Sequence, residues 1–201
     1  MIEATDLSTL SDFLWLWQAY DPAVKSDLFA SAVKNVAGLF LIDPIPLAPA
    51  PLAELMAHGQ VAGVLVTNSN HSRAAAAFAG RSGATVFAAE PVSAELGEGK
   101  IQVIAGGEIT TGVTGIPLEG AAPGEIAFHF ADQGGTLVIG DALINFEPYG
   151  FTLLPAKYCS NQKQMRRSLR QLLDWPFERL LFAHGSPILS AARGRLETML
   201  R

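Results

Sequence analysis

Apolar segments in this chain are short and arrive as two runs of strands, each closed by helices, which confines it to the layered α/β (α+β) folds. In the first run, Phe13 to Tyr20 alternates Phe13, Trp15 and Trp17 with Leu14, Leu16 and Gln18, so both faces of this strand are expected to be covered. Leu28 to Val33 and Leu39 to Ile42 follow as antiparallel neighbours, joined near Asn35 and Gly38. The stretch from Asp43 to Pro51 carries Pro44, Pro46, Pro49 and Pro51. It cannot continue a central strand, because proline has no amide hydrogen to give to a ladder. It leads into a helix ending at His58 and Gly59, with Pro51 in the first turn. Val61 to Val66 reads as the next strand and an Ala-rich stretch ending at Gly80 as the next helix.

The second run supplies five short strand candidates: Thr85 to Ala88, Lys100 to Ala105, Ile116 to Leu118, Glu125 to Phe130 and Thr136 to Ile139. Helices at Gln162 to Leu173 and Leu189 to Leu200 complete it. In the first of these, Met165, Leu169, Leu172 and Leu173 share one side, so Lys163, Arg166, Arg167 and Arg170 read as a solvated face and not as a polyanion site. With 201 residues, 49% of them apolar and 16% charged, the chain can build a sizeable core, and a single domain over residues 1–201 is expected.

Several function classes drop out on composition. A formal net charge of −5 offers no footprint for nucleic acid. No apolar run approaches the roughly 18 residues of a membrane span, and Glu3 and Asp6 replace a basic signal region, so no membrane partner and a cytoplasmic location are expected. The one cysteine, Cys159, excludes an internal disulfide and reads as a small buried or half-buried thiol. His58 suits a helix end and His129, between Phe128 and Phe130, a strand face. The apolar content is compatible with a homodimer without singling out a surface.

The chemistry concentrates between the Val61 strand and the Ala-rich helix, in Thr67, Asn68, Ser69, Asn70, His71, Ser72 and Arg73. Loops at strand carboxyl ends commonly carry sites in α/β proteins. Taken alone, Asn68 and Asn70 are good turn residues, Asn70 or Ser72 could cap the following helix, and His71 reads as a partly exposed residue of its first turn.

This segment resembles the signature loop of the metallo-β-lactamase superfamily, Thr-His-x-His-x-Asp-His, with the glyoxalase II and lactonase-like hydrolases among its members. Further landmarks come in the matching order. Phe40 to Pro44 resembles an early strand ending in Asp43; Gly120 to Gly124 resembles a Gly-His-x-Pro-Gly turn with Ala121 at the histidine. Thr136 to Asp141 resembles the strand that delivers a metal-bridging Asp, and Phe182 to Gly185 the loop that delivers a last ligand histidine, His184. The resemblance implies a four-layer αββα sandwich. It also implies a site at which Asn68 and Asn70 replace the histidines of one metal, while Ser72 and Arg73 replace the Asp and His of the other.

Of seven implied ligands, Asp141 and His184 remain. Asp141 follows Gly140 at the end of a buried strand and needs a partner there, and Arg73 is the expected one. At roughly 4 Å and an effective dielectric of about 20, two unit charges interact by about 4 kcal/mol, so a divalent ion beside Arg73 would meet about twice that repulsion. The expectation is therefore a degenerate, metal-free site in a pseudoenzyme. There an Arg73–Asp141 ion pair is surrounded by Asn68, Asn70, His71, Ser72 and His184, and the cleft is suited to a small anionic molecule. The alternative is a hydrolase of an ester, thioester or lactone, with zinc or another divalent metal on Asp141, His184 and His71, or a His base without metal.

Overall fold

The computed structural model describes residues 2–201. Strands β1 (Ser8–Ser11), β2 (Leu14–Asp21), β3 (Ser26–Asn35) and β4 (Gly38–Ile42) form an antiparallel meander. The proline stretch leads into helix α1 (Pro49–Ala57), with Pro51 in its first turn as expected. Then β5 (Val61–Leu65), α2 (Ala75–Ser82), β6 (Val86–Ala88), the short α3 (Glu90–Ser93) and β7 (Ile101–Val103) extend the same sheet in parallel, giving the order β1-β2-β3-β4-β5-β6-β7. Crossover helices are what parallel neighbours require.

A second sheet is built from β8 (Gly107–Thr110), β9 (Val113–Pro117), β10 (Ile126–Phe130), β11 (Thr136–Ile139) and, beyond a hairpin, β14 (Arg179–Phe182), in the order β14-β11-β10-β9-β8. The hairpin is β12 (Leu143–Phe146) with β13 (Gly150–Leu153). Helices α4 (Gln162–Arg170) and α5 (Ala192–Leu200) pack outside this sheet.

Side-chain alternation explains why the sheets stack. Ile126, Phe128 and Phe130 of β10, Val138 of β11 and Leu181 of β14 enter the cluster shared with Trp15, Trp17, Phe40 and Leu41 of the first sheet. Their neighbours Ala127, Leu137, Ile139, Leu180 and Phe182 point the other way, onto Met165, Leu169, Leu196 and Leu200 of the helices. A strand buried on both faces reads as a continuous apolar run, as these do. The result is the expected αββα sandwich.

Some expectations need correction. Strands β1, β8, β12, β13 and β14 lie outside the expected set; all five are four-residue pieces, and all but β14 are only partly buried and carry no strong apolar signal. The helix expected over Gln162 to Leu173 ends at Arg170 and tightens into a 3-10 turn, Gln171–Asp174; the one expected from Leu189 begins at Ala192. The α4 cations are not simply solvated: Arg166 and Arg170 donate to the Leu200 carbonyl at 3.2 and 2.7 Å and so close the end of α5. His58 ends α1 with its ring 4.3 Å from that of Trp15, and buried His129 meets the Pro176 carbonyl at 2.7 Å, both structural roles. Among the described residues, no helix is long and apolar enough to cross a membrane.

Candidate metal centre

The site lies where strands of both sheets end. Asp43 follows β4, the Thr67 to Arg73 loop follows β5, Asp141 follows β11 and His184 follows β14. Gly140 is required by crowding: a Cβ there would stand 2.5 Å from Thr67 Oγ1, 2.8 Å from Asn68 Nδ2 and 2.9 Å from Glu125 Oε1.

The loop does not run extended. Asn68 accepts the Asn70 amide on its own side-chain oxygen at 2.9 Å and starts a 3-10 turn over Ser69–His71, while α2 begins only at Ala75 and has no side-chain cap. Neither Asn70 nor Ser72 caps that helix, and His71 is not in its first turn. The tight turn swings His71 inward instead, to 2% relative exposure. The partly exposed histidine expected from sequence is thus a buried member of the site.

Arg73 behaves in the opposite way. Its backbone takes a positive φ of 36° and its Nη1 donates to the carbonyls of Phe29 at 2.6 Å and Asp43 at 3.1 Å. The expected Arg73–Asp141 ion pair is not made; Arg73 ties β3 to the end of β4, and its Nε and Nη2 have no partner among the described residues. Burial lowers its pKa, against the pull of Asp43, Asp141 and Asp21. Ser72 makes no side-chain hydrogen bond in the site. Ala121 packs in the outer apolar cluster, its carbonyl taking the Ser160 amide.

Asp141 has four other partners, divided between its two oxygens. Oδ2 accepts from Asn70 Nδ2 at 2.9 Å and from Asn68 Nδ2 at 3.2 Å. Oδ1 faces His71 Nε2 at 3.4 Å and His184 Nε2 at 3.3 Å, and the two imidazole nitrogens are 3.4 Å from each other. The other ring nitrogens fix the tautomers. His184 Nδ1 meets the Asp27 carbonyl at 3.2 Å, which can only accept, so Nδ1 carries the hydrogen. Thr67 Oγ1 donates to Asp43 Oδ2 at 2.6 Å, leaving His71 Nδ1 to donate to Thr67 Oγ1 at 2.8 Å and Asp43 Oδ2 at 3.1 Å. In their neutral forms, both imidazoles therefore aim a lone pair at the same point as a carboxylate oxygen.

Three electron-rich atoms so placed repel unless a cation joins them. Burial and then Arg73 press His71 toward neutrality, yet Asp43 and Asp141 on either side outweigh them and raise its pKa to about 9. Burial disfavours ionisation of Asp141 and Asp43 too; His71 and His184 around the first, and His71, Arg73 and Thr67 around the second, hold both below the ordinary carboxylate value. A proton satisfies the triad in this way, and a metal ion fits it by geometry. With ligand bonds of about 2.0–2.1 Å, two ligands of a tetrahedral zinc ion stand about 3.3–3.4 Å apart, which matches all three edges observed. The supporting contacts are also of the kind that orient metal-binding histidines, a carboxylate behind His71 and a backbone carbonyl behind His184.

Glu125 belongs to the site and was not singled out from sequence as one of its residues. Only 4% exposed, it accepts from Asn68 Nδ2 at 2.6 Å through Oε2 and from the Ala142 amide at 3.1 Å through Oε1. Burial, reinforced by Asp141, pushes its pKa up to about 8. Its signal in the sequence was an acid placed directly before β10, which is apolar apart from His129. Cys159 stays outside: its Sγ contacts the Leu154 carbonyl at 3.4 Å, and burial, then Glu125 and Asp141, raise its pKa.

Two stacked sheets flanked by helices, with His and Asp side chains gathered at one strand edge, define the metallo-β-lactamase fold. A sequence model of the metallo-beta-lactamase superfamily matches residues 8–200, and the chain belongs to that superfamily. It is similar in structure to the DIM-1 metallo-beta-lactamase, with a TM-score of 0.75 at 12% identity over 99% of this chain and 97% of that one. A metallo-beta-lactamase from Pontibacter korlensis gives 0.72 at 14% identity over 97% and 98%. FIM-1 from Pseudomonas aeruginosa, in a mono-zinc form, gives 0.69 at 10% over 99% and 95%. No functionally curated sequence matches this chain significantly.

Proposed function

We propose that this protein is a single-metal hydrolase in which His71, Asp141 and His184 hold one divalent cation, zinc by the donor set, for cleavage of an ester, thioester or lactone. The observation that carries the reading is the triangle of Nε2, Nε2 and Oδ1 with edges of 3.3 to 3.4 Å, each corner oriented from behind. A bound ion would supply Lewis acidity and an activated water. The chain's own contribution is orientation. Asp43 and Thr67 set the tautomer of His71, the Asp27 carbonyl sets that of His184, and Asn68 and Asn70 turn Asp141 so that one oxygen faces the imidazoles. His71 is sealed, whereas the His184 side chain is 17% exposed and Asn70 is exposed, so substrate approaches from their side.

This reading is favoured over a metal-free pocket for an anion, because the cation meant to create that pocket, Arg73, is engaged under β3 and β4. Its charge is opposed by Asp43, which reduces the repulsion an ion would feel. The test is a panel of ester, thioester, lactone and β-lactam substrates, assayed with the protein chelator-stripped and after zinc is returned. Zinc-dependent turnover that disappears in Asp141→Ala is expected; equal, absent turnover in both states across the panel would sink the hydrolase assignment.

A further inference from the structure

The half of the site that the sequence resemblance assigns to a first metal is neither vacant nor disordered. Asn68, buried at 0% exposure, spends both hydrogens of its amide, one on Glu125 Oε2 and one on Asp141 Oδ2, while its oxygen takes the Asn70 amide. Every polar atom of that side chain is used, so the orientation of its amide is determined by its neighbours. Asn70 adds a second donor to the same Asp141 oxygen. Glu125 is the far anchor of this chain of contacts, fixed in turn by the Ala142 amide.

We infer that Glu125 is a positioning residue for the metal centre: through Asn68 it pins Oδ2 of Asp141, so that Asp141 presents Oδ1 alone to His71, His184 and the ion they hold. This rests on the single-metal reading above. If glutamine replaced Glu125 and kept its oxygen on the Ala142 amide, its NH2 would face the NH2 of Asn68, donor against donor. Asn68 would then have to turn over, losing the Asn70 amide and setting its own oxygen against Asp141 Oδ2. With the glutamine reversed, two donors would meet at Ala142 instead. Either way the clasp on Asp141 loosens although size and shape are kept.

Contacts of this kind behind a ligand typically govern about 10–100-fold of metal affinity. The experiment is competition of zinc against a chromogenic chelator, together with the visible spectrum of the cobalt(II)-loaded protein, for the unaltered chain, Glu125→Gln and Asn70→Ala. Glu125→Gln is expected to weaken zinc binding about 10–100-fold and to reduce the cobalt d–d absorption, as a freed carboxylate adds its second oxygen and coordination rises above four. Asn70→Ala, at an exposed position, removes the separate donor to Oδ2 and should move both readouts in the same direction by less; if Glu125→Gln does not fold, Glu125→Asp, whose shorter carboxylate cannot span Asn68 and the Ala142 amide together, is read in its place. Unchanged affinity and an unchanged cobalt spectrum in the folded variant would overturn the role of Glu125 while leaving the metal centre standing. Failure of the unaltered chain to bind either ion would remove both.

Discussion

The two sides of Asp141 solve one problem by different chemistry. On the Oδ1 side two imidazoles converge on one carboxylate oxygen, an arrangement that either a proton on His71 or a metal ion between the three atoms satisfies. On the Oδ2 side two amides supply the hydrogens themselves, and the arrangement is closed. Asparagine can satisfy a buried carboxylate without an ion; a neutral histidine held in the Nδ1–H tautomer cannot, because it offers only a lone pair. Asparagine in place of histidine on one side alone is what the proposed one-cation centre requires.

Substitutions that touch each side should separate them. His184→Ala removes a corner of the triangle and should lower zinc affinity beyond the roughly 100-fold that loss of a supporting contact can reach, as read by chelator competition. Asp43→Asn leaves the corners in place but strips His71, Thr67 and Arg73 of a buried carboxylate. Breaking a buried pair of this type costs on the order of 3–5 kcal/mol, to be read from the urea midpoint of the metal-free protein.

The pH dependence probes the two sides together. Glu125 has a folded-state pKa near 8 against an ordinary 4.5, so between these values the native protein holds more protons than the unfolded chain, and stability must fall as pH rises. His71, raised from 6.5 to about 9, adds the same sign higher up. Urea denaturation of the metal-free protein at pH 5 and at pH 8.5 should therefore give the higher midpoint at pH 5, and Glu125→Gln should flatten the slope below pH 6.5. The smallest effect is expected outside both sides: Cys159→Ser should change stability by no more than about 1 kcal/mol and leave zinc uptake unaltered.

Much of this was legible in the chain. Strands such as Thr136–Ile139 and β4 declare themselves by continuous apolar character, Asp141 and Asp43 by standing where those strands end, and His184 by the resemblance of Phe182 to Gly185 to a ligand-bearing loop. What sequence register could not supply was the path of seven residues. Counting along an extended loop puts His71 off the ligand positions and Arg73 on one. A 3-10 turn followed by a residue of positive φ reverses both, turning His71 in and Arg73 under the sheet. Asp43 could have been a mere strand end; its contacts with Thr67 and His71 make it a support of the site. Glu125 was hidden because its partner is an asparagine 57 positions away, a pairing that no local pattern reports.

The proposed centre has one cation side and one closed side. It is tested most directly by elemental mass spectrometry of protein purified without a metal-affinity tag, before and after equilibration with zinc and gel filtration. The account predicts saturation at a single zinc per chain, lost in His184→Ala. No saturable uptake would contradict the imidazole side of the account, and two ions per chain would contradict the amide side.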